Sequence, residues 1–172
     1  MATVTRRRTI LHLTMLSAFL AFSIVGFATP ADALLSISVP GSKNLGSTSV
    51  GSSTQSAQLG TVTGTTTIGL AFVATVTSTN FTTGGGTSNE TISKSQIYYW
   101  SGSSTGTTGV LLTNVPGQAN SGLAVPLTLG VTAYSASGAL AFSVSWNPTI
   151  VVHIPSNAVA GTYTGTITHS IA

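Results

Sequence analysis

The sequence contains no cysteine and few charged side chains, which make up 4% of its 172 residues. A chain without cysteine forms no disulfide and offers no thiolate to a metal ion. A domain of this kind relies instead on core burial and on a complete ladder of backbone hydrogen bonds. A surface of Thr, Ser, Asn and Gly also has little electrostatic protection against association, which suits a protein held in an assembly or a matrix.

The N-terminal 33 residues have the pattern of an export signal. Three arginines at 6–8 precede an apolar stretch at 10–28, and Ala31 and Ala33 form a small-residue cleavage site. We predict that residues 1–33 are a signal peptide, cleaved after Ala33. The apolar stretch is nearly long enough to span a bilayer, so an uncleaved signal would be the protein's only contact with a membrane.

Residues 34–172 are predicted to form one domain, because the 139 residues that remain when 33 are removed from 172 are enough for a single core. The charged residues of this domain are Lys43, Lys94 and Glu90, a formal charge of +1. Such a domain has no basic surface to follow a phosphate backbone, so we expect no nucleic-acid partner.

Catalytic groups are too few for the common hydrolytic mechanisms. A glycosidase of the usual kind needs two carboxylic acids, and the predicted domain has only Glu90. Glu90, His153 and His169 are the residue types of a two-histidine, one-carboxylate metal site, yet nothing in their spacing brings them together. We therefore predict no catalytic residue, no metal, no cofactor and no enzymatic activity.

Apolar and polar residues alternate in several short runs of the predicted domain. Four of these runs are Leu35/Ile37/Val39, Leu70/Phe72/Ala74/Val76, Val125/Leu127/Leu129/Val131 and Leu140/Phe142/Val144/Trp146. A period of two indicates half-buried strands, and frequent Thr favours an extended backbone. Turns rich in Gly, Pro and Asn separate the runs, with no amphipathic helix between them. We predict an all-β fold, a single antiparallel β-sandwich of the Ig-like or Greek-key type.

The segment 161–172 has the most regular alternation in the chain. Its residues 163, 165, 167, 169 and 171 share one face, and hydroxyl side chains take the other. If the first face is the core, His169 is a buried imidazole that needs a hydrogen-bond partner. We predict that this strand occupies an interior position in a sheet.

The best local candidates for ligand binding are Tyr98, Tyr99 and Trp100. In a strand the side chain of Tyr99 points away from those of Tyr98 and Trp100, so at least one ring is expected to meet solvent or a loop. Exposed aromatic faces can stack on sugar rings while their polar tips stay hydrated. The alternative is that these rings fill the core or cap one end of the sandwich.

The C-terminal block SWNPTIVVHIPSNAVAGTYTGTITHSIA, residues 145–172, resembles the end of the bacterial Trp-x-Leu (WxL) surface domains. In that family an Ile-Pro step, a short loop and Gly-Thr-Tyr lead into a final strand. The upstream segment GLAFVATVTSTNFTTG, residues 69–84, is similar to the segment that carries the family's first motif. The similarity extends over most of residues 35–172.

Both signature tryptophans of the WxL family are replaced in this chain. In the first motif Phe72 occupies the Trp position and Ala74 the Leu position. The second motif is represented by Tyr163 and Thr168 as matches, Ile167 and Ile171 as conservative replacements, and His169 at the Trp position.

The resemblance implies an extracellular, non-enzymatic protein that is attached non-covalently to the peptidoglycan of a Gram-positive cell wall. Its partners would be cell-wall polysaccharide or other surface proteins. An alternative is a self-assembling, fimbria-like or adhesive surface subunit, in which residues 34–39 pair with the sheet edge of a neighbouring molecule.

Overall fold

The computed structural model describes residues 7–14, 34–51, 53–69 and 71–172, with the backbone alone for residues 7–14. The predicted cleavage site at Ala31 and Ala33, and most of the predicted signal peptide, lie outside these ranges. Within them the helical segments are three 3₁₀ turns, Ser88–Glu90, Lys94–Gln96 and Ser121–Leu123. All other regular structure in the described residues is strand, so the predicted all-β class is confirmed.

The strands, in chain order, are β1 (Arg7–Thr14), β2 (Leu35–Ser38), β3 (Lys43–Asn44), β4 (Thr54–Gln58), β5 (Val62–Thr66), β6 (Phe72–Ser78), β7 (Phe81–Thr82), β8 (Thr91–Ile92), β9 (Ile97–Trp100), β10 (Ser104–Thr108), β11 (Thr113–Pro116), β12 (Val125–Pro126), β13 (Val131–Ser137), β14 (Phe142–Trp146), β15 (Thr149–His153) and β16 (Thr162–Ile171).

The first sheet has the strand order β11-β13-β6-β16-β1-β3, and β7 and β8 continue it beside β16. The pairs are antiparallel, apart from the parallel pair of β1 with β3. β16 lies inside this sheet, with β6 along residues 167–171 and β1 along residues 162–169. In the full chain β16 therefore has the predicted interior position, with β1, a strand of the predicted signal peptide, along its second edge.

The second sheet consists of two ladders, β10-β14-β5-β2 and β12-β9-β15-β4. The two ladders adjoin. β4 is followed directly by β5, and β14 is followed directly by β15. The segment β4–β5 pairs antiparallel with the segment β14–β15, β4 with β15 and β5 with β14. At the junction the N–H of Leu59 donates to the carbonyl of Pro148 at 2.8 Å. Gly60 there has a φ of +105° and Pro148 lacks an N–H, so the ladder is interrupted at this point but the layer is continuous.

Aromatic rings from the two sheets meet in the core. Phe72 of β6 stacks on Phe142 of β14 with ring centroids 5.6 Å apart, and Tyr134 of β13 stacks on Trp146 of β14 at 4.9 Å. Gly64 of β5 makes the first contact possible, because a Cβ at this position would lie 2.7 Å from Cζ of Phe72. The sheets therefore pack face to face as a sandwich.

The alternating runs agree with the observed burial apart from two places, and Leu70 of the second run lies outside the described residues. One of the two is Leu140, which the pattern places on the buried face with residues 142–146 but which precedes β14 and is 62% exposed. Leu35, Ile37 and the even-numbered residues 72–76 and 142–146 are buried as predicted. The prediction of one strand over residues 125–131 is wrong: β12 ends at Pro126, a turn follows, and Leu129 is 76% exposed. The N–H of Leu127 still donates to the carbonyl of Ile97 at 2.8 Å, but the chain then turns out of the second sheet, and β13 begins at Val131 in the first sheet.

The hydroxyl of Tyr163 ties the start of β16 to the loops before it. It lies 3.0 Å from the carbonyl oxygens of both Val159 and Asn89. A tyrosine that bonds to the backbone a few residues upstream is the tyrosine corner of Greek-key sandwiches. This contact holds the entry to β16 at one end of the sandwich.

Candidate functional site

Strand β9 carries two half-buried aromatic side chains on its outer face, Tyr98 and Trp100. Ile97 and Tyr99 alternate with them and are fully buried in the core, as the geometry of a strand requires. The three residues predicted to bind a ligand are therefore divided between two environments. Tyr98 and Trp100 lie at the surface, whereas Tyr99 faces the other sheet.

Strand β15 lies beside β9 and extends this outer face. Val151 is opposite Tyr98, and Thr149 is opposite Trp100, so the paired side chains share a face. The imidazole of His153, which is exposed, lies 4.8 Å from the ring of Tyr98, centroid to centroid, with a tilt of 60°. We call Tyr98, Trp100, Val151 and His153 the aromatic face.

Uncharged polar residues of the edge strand β4 border the aromatic face. Thr54, Ser56 and Gln58 are exposed and lie opposite residues 153, 151 and 149 of β15. Their hydroxyl and carboxamide groups can both donate and accept hydrogen bonds. Aromatic rings and hydrogen-bonding groups thus lie side by side on one surface.

Gly102 follows β9 and lies beside the ring of Trp100. It has a φ of +72°, and a Cβ there would lie 3.5 Å from Cζ3 of Trp100. The N–H of Gly102 donates to the carbonyl of Gln118 at 2.9 Å, which holds the glycine in place. A side chain at this position would therefore touch the indole, and its φ would be strained.

The chemistry of the aromatic face suits a neutral polar ligand. Tyrosine and tryptophan rings present an apolar surface with a polar tip, a combination that matches a sugar ring with its C–H faces and hydroxyl groups. The charged residues of the range 34–172 are Lys43, Glu90 and Lys94, and none of these belongs to the aromatic face. Contacts made there would depend little on ionic strength.

Tyr99 is the centre of a buried polar chain that joins the two sheets. The Nε1–H of Trp146 donates to the hydroxyl of Tyr99 at 3.3 Å, and this hydroxyl lies 3.2 Å from Nε2 of His169. Since indole can only donate, the hydroxyl accepts from Trp146, and its own proton is available for Nε2 of His169. The other imidazole nitrogen, Nδ1, is buried and has no hydrogen-bond partner among the described residues.

Burial also controls the ionisation of His169 and Tyr99. Desolvation lowers the pKa of His169 from 6.5 to about 4, because the charged imidazolium is disfavoured away from water. Desolvation raises the pKa of Tyr99 above its ordinary value, against the opposing effect of the hydrogen bond from Trp146. Both groups are therefore neutral at pH 7.

The positions that carry the WxL resemblance lie in two neighbouring strands of the first sheet. β6 pairs with β16 so that Ala74 is opposite Ile171. The buried positions among them are Phe72, Ala74, Tyr163, Ile167, His169 and Ile171, while Thr168 is half-buried on the opposite face of β16. These residues shape the core, and Thr168 alone faces outward.

The residues considered for a metal site are not brought together. His169 is buried in β16, His153 is exposed at the end of β15, and Glu90 lies in a 3₁₀ turn where its carboxylate accepts hydrogen bonds from Thr87. In the part of the chain that the structure describes, no group of three or more His, Cys, Asp or Glu residues could hold a metal ion.

One further motif was missed in the sequence analysis. Residues 102–106 have the spacing Gly-x-Ser-x-Gly, which in α/β-hydrolases marks a strand-to-helix turn with a nucleophilic serine. Here Ser104 is the first residue of β10 and pairs with Trp146 of β14. The structural context of a nucleophile is therefore absent at this serine.

Comparisons of the chain with protein-family models, with curated proteins and with solved structures each found no match.

Within the described ranges, no helix has the length and apolar character needed to cross a membrane.

Proposed function

We propose that the protein is an exported, non-enzymatic surface protein that binds cell-wall polysaccharide, peptidoglycan in particular, through the aromatic face. The observation that carries this proposal is that two half-buried rings, those of Tyr98 and Trp100, lie on the same outer face of β9. The exposed polar residues of β4 lie beside that face.

Stacking of sugar rings on the aromatic side chains would supply the affinity, and hydrogen bonds would fix the orientation of the glycan. The rings of Tyr98 and Trp100 are on one strand with a single residue between them, so they are separated by about 6–7 Å along the strand. This spacing lets two neighbouring sugar units of a glycan contact them in turn. Ser56 and Gln58, two strands away on the same face, would then hydrogen-bond to hydroxyl or acetamido groups of the glycan.

The resemblance to WxL domains supports the cellular setting of this proposal. Members of that family are attached to peptidoglycan, and the predicted signal peptide would deliver the protein to the same compartment. The family-motif positions are mainly core residues, however, so the proposed contacts are made by other residues. A chain that has lost both signature tryptophans can keep a binding face of this kind.

Co-sedimentation of the secreted, processed protein with insoluble peptidoglycan tests the proposal. The wild-type protein is expected to sediment at both low and high salt, and Trp100→Ala to stay in the supernatant. Leu111→Ala is the matched control, because Leu111 is 82% exposed in the connection between β10 and β11 and is not part of the aromatic face. Wild-type protein that stays in the supernatant, or equal sedimentation of Trp100→Ala, would contradict the proposal.

The alternative of self-assembly through residues 34–39 meets a structural obstacle. Residues 35–38 already pair with β5 of the same chain, and Leu35 and Ile37 are 4% and 2% exposed. Insertion of this segment as an inner strand of a neighbouring molecule would therefore require β2 to leave its own sheet. β2 is, however, the last strand of the ladder β10-β14-β5-β2, so edge-to-edge pairing along its outer side is the form of self-assembly that the fold permits. Concentration-dependent oligomers that are lost when residues 34–39 are removed would favour this alternative.

A further inference from the structure

Strand β16 has hydrogen-bonding partners along both edges. Ala172 and Val73 exchange two backbone hydrogen bonds, of 2.8 and 3.1 Å, on the β6 side. Because backbone groups alternate in direction along a strand, the even-numbered residues of β16 face β6. The odd-numbered residues Tyr163 to His169 direct their N–H and C=O groups toward β1, which lies opposite them in antiparallel register.

Strand β1 is also paired on its far side. Leu11 and His12 lie in parallel register with Lys43 and Asn44 of β3. β1 thus fills a slot that has strand backbone on both sides, β16 along eight residues and β3 along two. We call the space between β16 and β3 the strand slot.

The strand that fills this slot belongs to the segment predicted to be removed on export. Once the chain is cut after Ala33, β1 is no longer covalently attached to the domain. The backbone groups of β16 that face β1 would then have no strand beside them and would form an open sheet edge, which is a template for another strand. Residues 162–171 contain no charged side chain and no proline, the usual means of preventing a sheet edge from pairing.

We propose that, in the processed protein, the strand slot takes an extended segment of another polypeptide in the register of β1. The segment needs both of its edges free, since β16 and β3 each pair with one. An edge strand of a second folded copy has only one free edge, so it does not fit between them. This inference rests on the predicted cleavage and is independent of glycan binding.

The register of β1 specifies the chemistry of the incoming strand. It needs about eight residues, the length that pairs with β16. Leu11 and Leu13 are opposite Gly165 and Tyr163, whereas Arg7 and Thr9 are opposite His169 and Ile167. The strand that occupies the slot is thus apolar at alternate positions in its second half only. The partner is therefore a protein with a flexible segment that carries two apolar residues, one residue apart, opposite Gly165 and Tyr163.

The test uses the full chain with a specific protease site inserted after Ala33. The folded chain is cut, the N-terminal fragment is removed, and amide hydrogen exchange is measured before and after adding a synthetic peptide of residues 6–15. On removal of the fragment, the amides of Gly165 and Ile167 are expected to exchange about tenfold faster or more. Those of Thr166 and Thr168, which face β6, serve as internal controls and stay protected.

Adding the peptide is expected to restore the protection of Gly165 and Ile167, and a peptide with Leu11→Asp and Leu13→Asp is expected not to. If the cut protein unfolds without its strand, refolding by the first peptide and not by the second supports the proposal equally. Failure of the first peptide either to protect or to refold the protein would overturn it. If Gly165 and Ile167 stay protected from exchange after the fragment is removed and without added peptide, the proposal is also overturned. If that protection depends on protein concentration because the cut protein dimerises, the edge of β16 is assigned to a second copy of the chain.

Discussion

The hydroxyl of Tyr99 and Nε2 of His169 are 3.2 Å apart in the core, and this contact joins the second sheet to β16 of the first. The imidazole is 1% exposed, and its Nδ1 has no hydrogen-bond partner among the described residues. A protein that buries such a group keeps it neutral. The stability of the fold therefore depends on the protonation of His169.

The free energy of unfolding is expected to fall as the pH is lowered through the interval from 6.5 to 4. The pKa of His169 is lowered to about 4 in the folded protein, from an ordinary value of 6.5, so the unfolded chain binds the proton first. Stability is complete above pH 6.5, and about 3 kcal/mol is lost by pH 4. Denaturant titrations at pH 7.5 and pH 4 measure the difference. It should be much smaller in His169→Phe, and a wild-type stability that is unchanged over this interval would disprove the assignment.

Removing the hydroxyl of Tyr99 is expected to destabilise the protein. Tyr99→Phe leaves the indole N–H of Trp146 and Nε2 of His169 buried without their present partner, at a cost of about 1–3 kcal/mol. The matched control is Tyr98→Phe on the outer face, for which a change within about 0.5 kcal/mol is expected. Equal midpoints of denaturation for the two variants would show that the buried hydrogen bonds of the Tyr99 hydroxyl do not contribute to stability.

Replacing Gly165 with alanine is expected to destabilise the protein. A Cβ at this position would lie 1.9 Å from Cδ1 of Phe81, so Gly165→Ala forces the ring or the strand to move, at about 1–3 kcal/mol. Gly41→Ala is the control, because a Cβ there has no atom within 4 Å. Thermal unfolding of both variants measures the contrast, and a Gly165→Ala protein as stable as Gly41→Ala would contradict the packing described for β7 and β16.

Deleting residues 162–172 is expected to prevent stable folding. The deletion removes Tyr163, Ile167 and Ile171 from the core and leaves the edge of β6 open, together with that of β1 in the unprocessed chain. Circular dichroism during heating is the measurement. A cooperative thermal transition in the truncated protein would refute the expectation.

The fold class and most strand faces could be predicted from local alternation, because a half-buried strand needs one apolar side. The alternation failed at residues 125–131, where the chain turns after Leu127 and crosses from the second sheet to the first, because a regular pattern of side chains does not show where a strand leaves its sheet. It also could not show that β1 pairs with β16, since the arginines and apolar residues of that segment have the pattern of an export signal.

The candidate site was only half predictable. Alternation separates Tyr99 from Tyr98 and Trp100, but it does not tell which of the two faces is inside. The contribution of Val151 and His153 follows from the pairing of β15 with β9, which joins distant parts of the chain. Nothing in the local pattern of either strand specifies that pairing, and so the aromatic face emerges only from the three-dimensional structure.

The most direct test of the proposed function is the intrinsic fluorescence of the processed protein as soluble peptidoglycan fragments are added. The chain has two tryptophans, and Trp146 is 0% exposed, so a change caused by a surface ligand reports on Trp100. We predict a saturable shift of the emission that persists at high salt. Unchanged emission at fragment concentrations that compete the protein off insoluble peptidoglycan would contradict binding through the aromatic face.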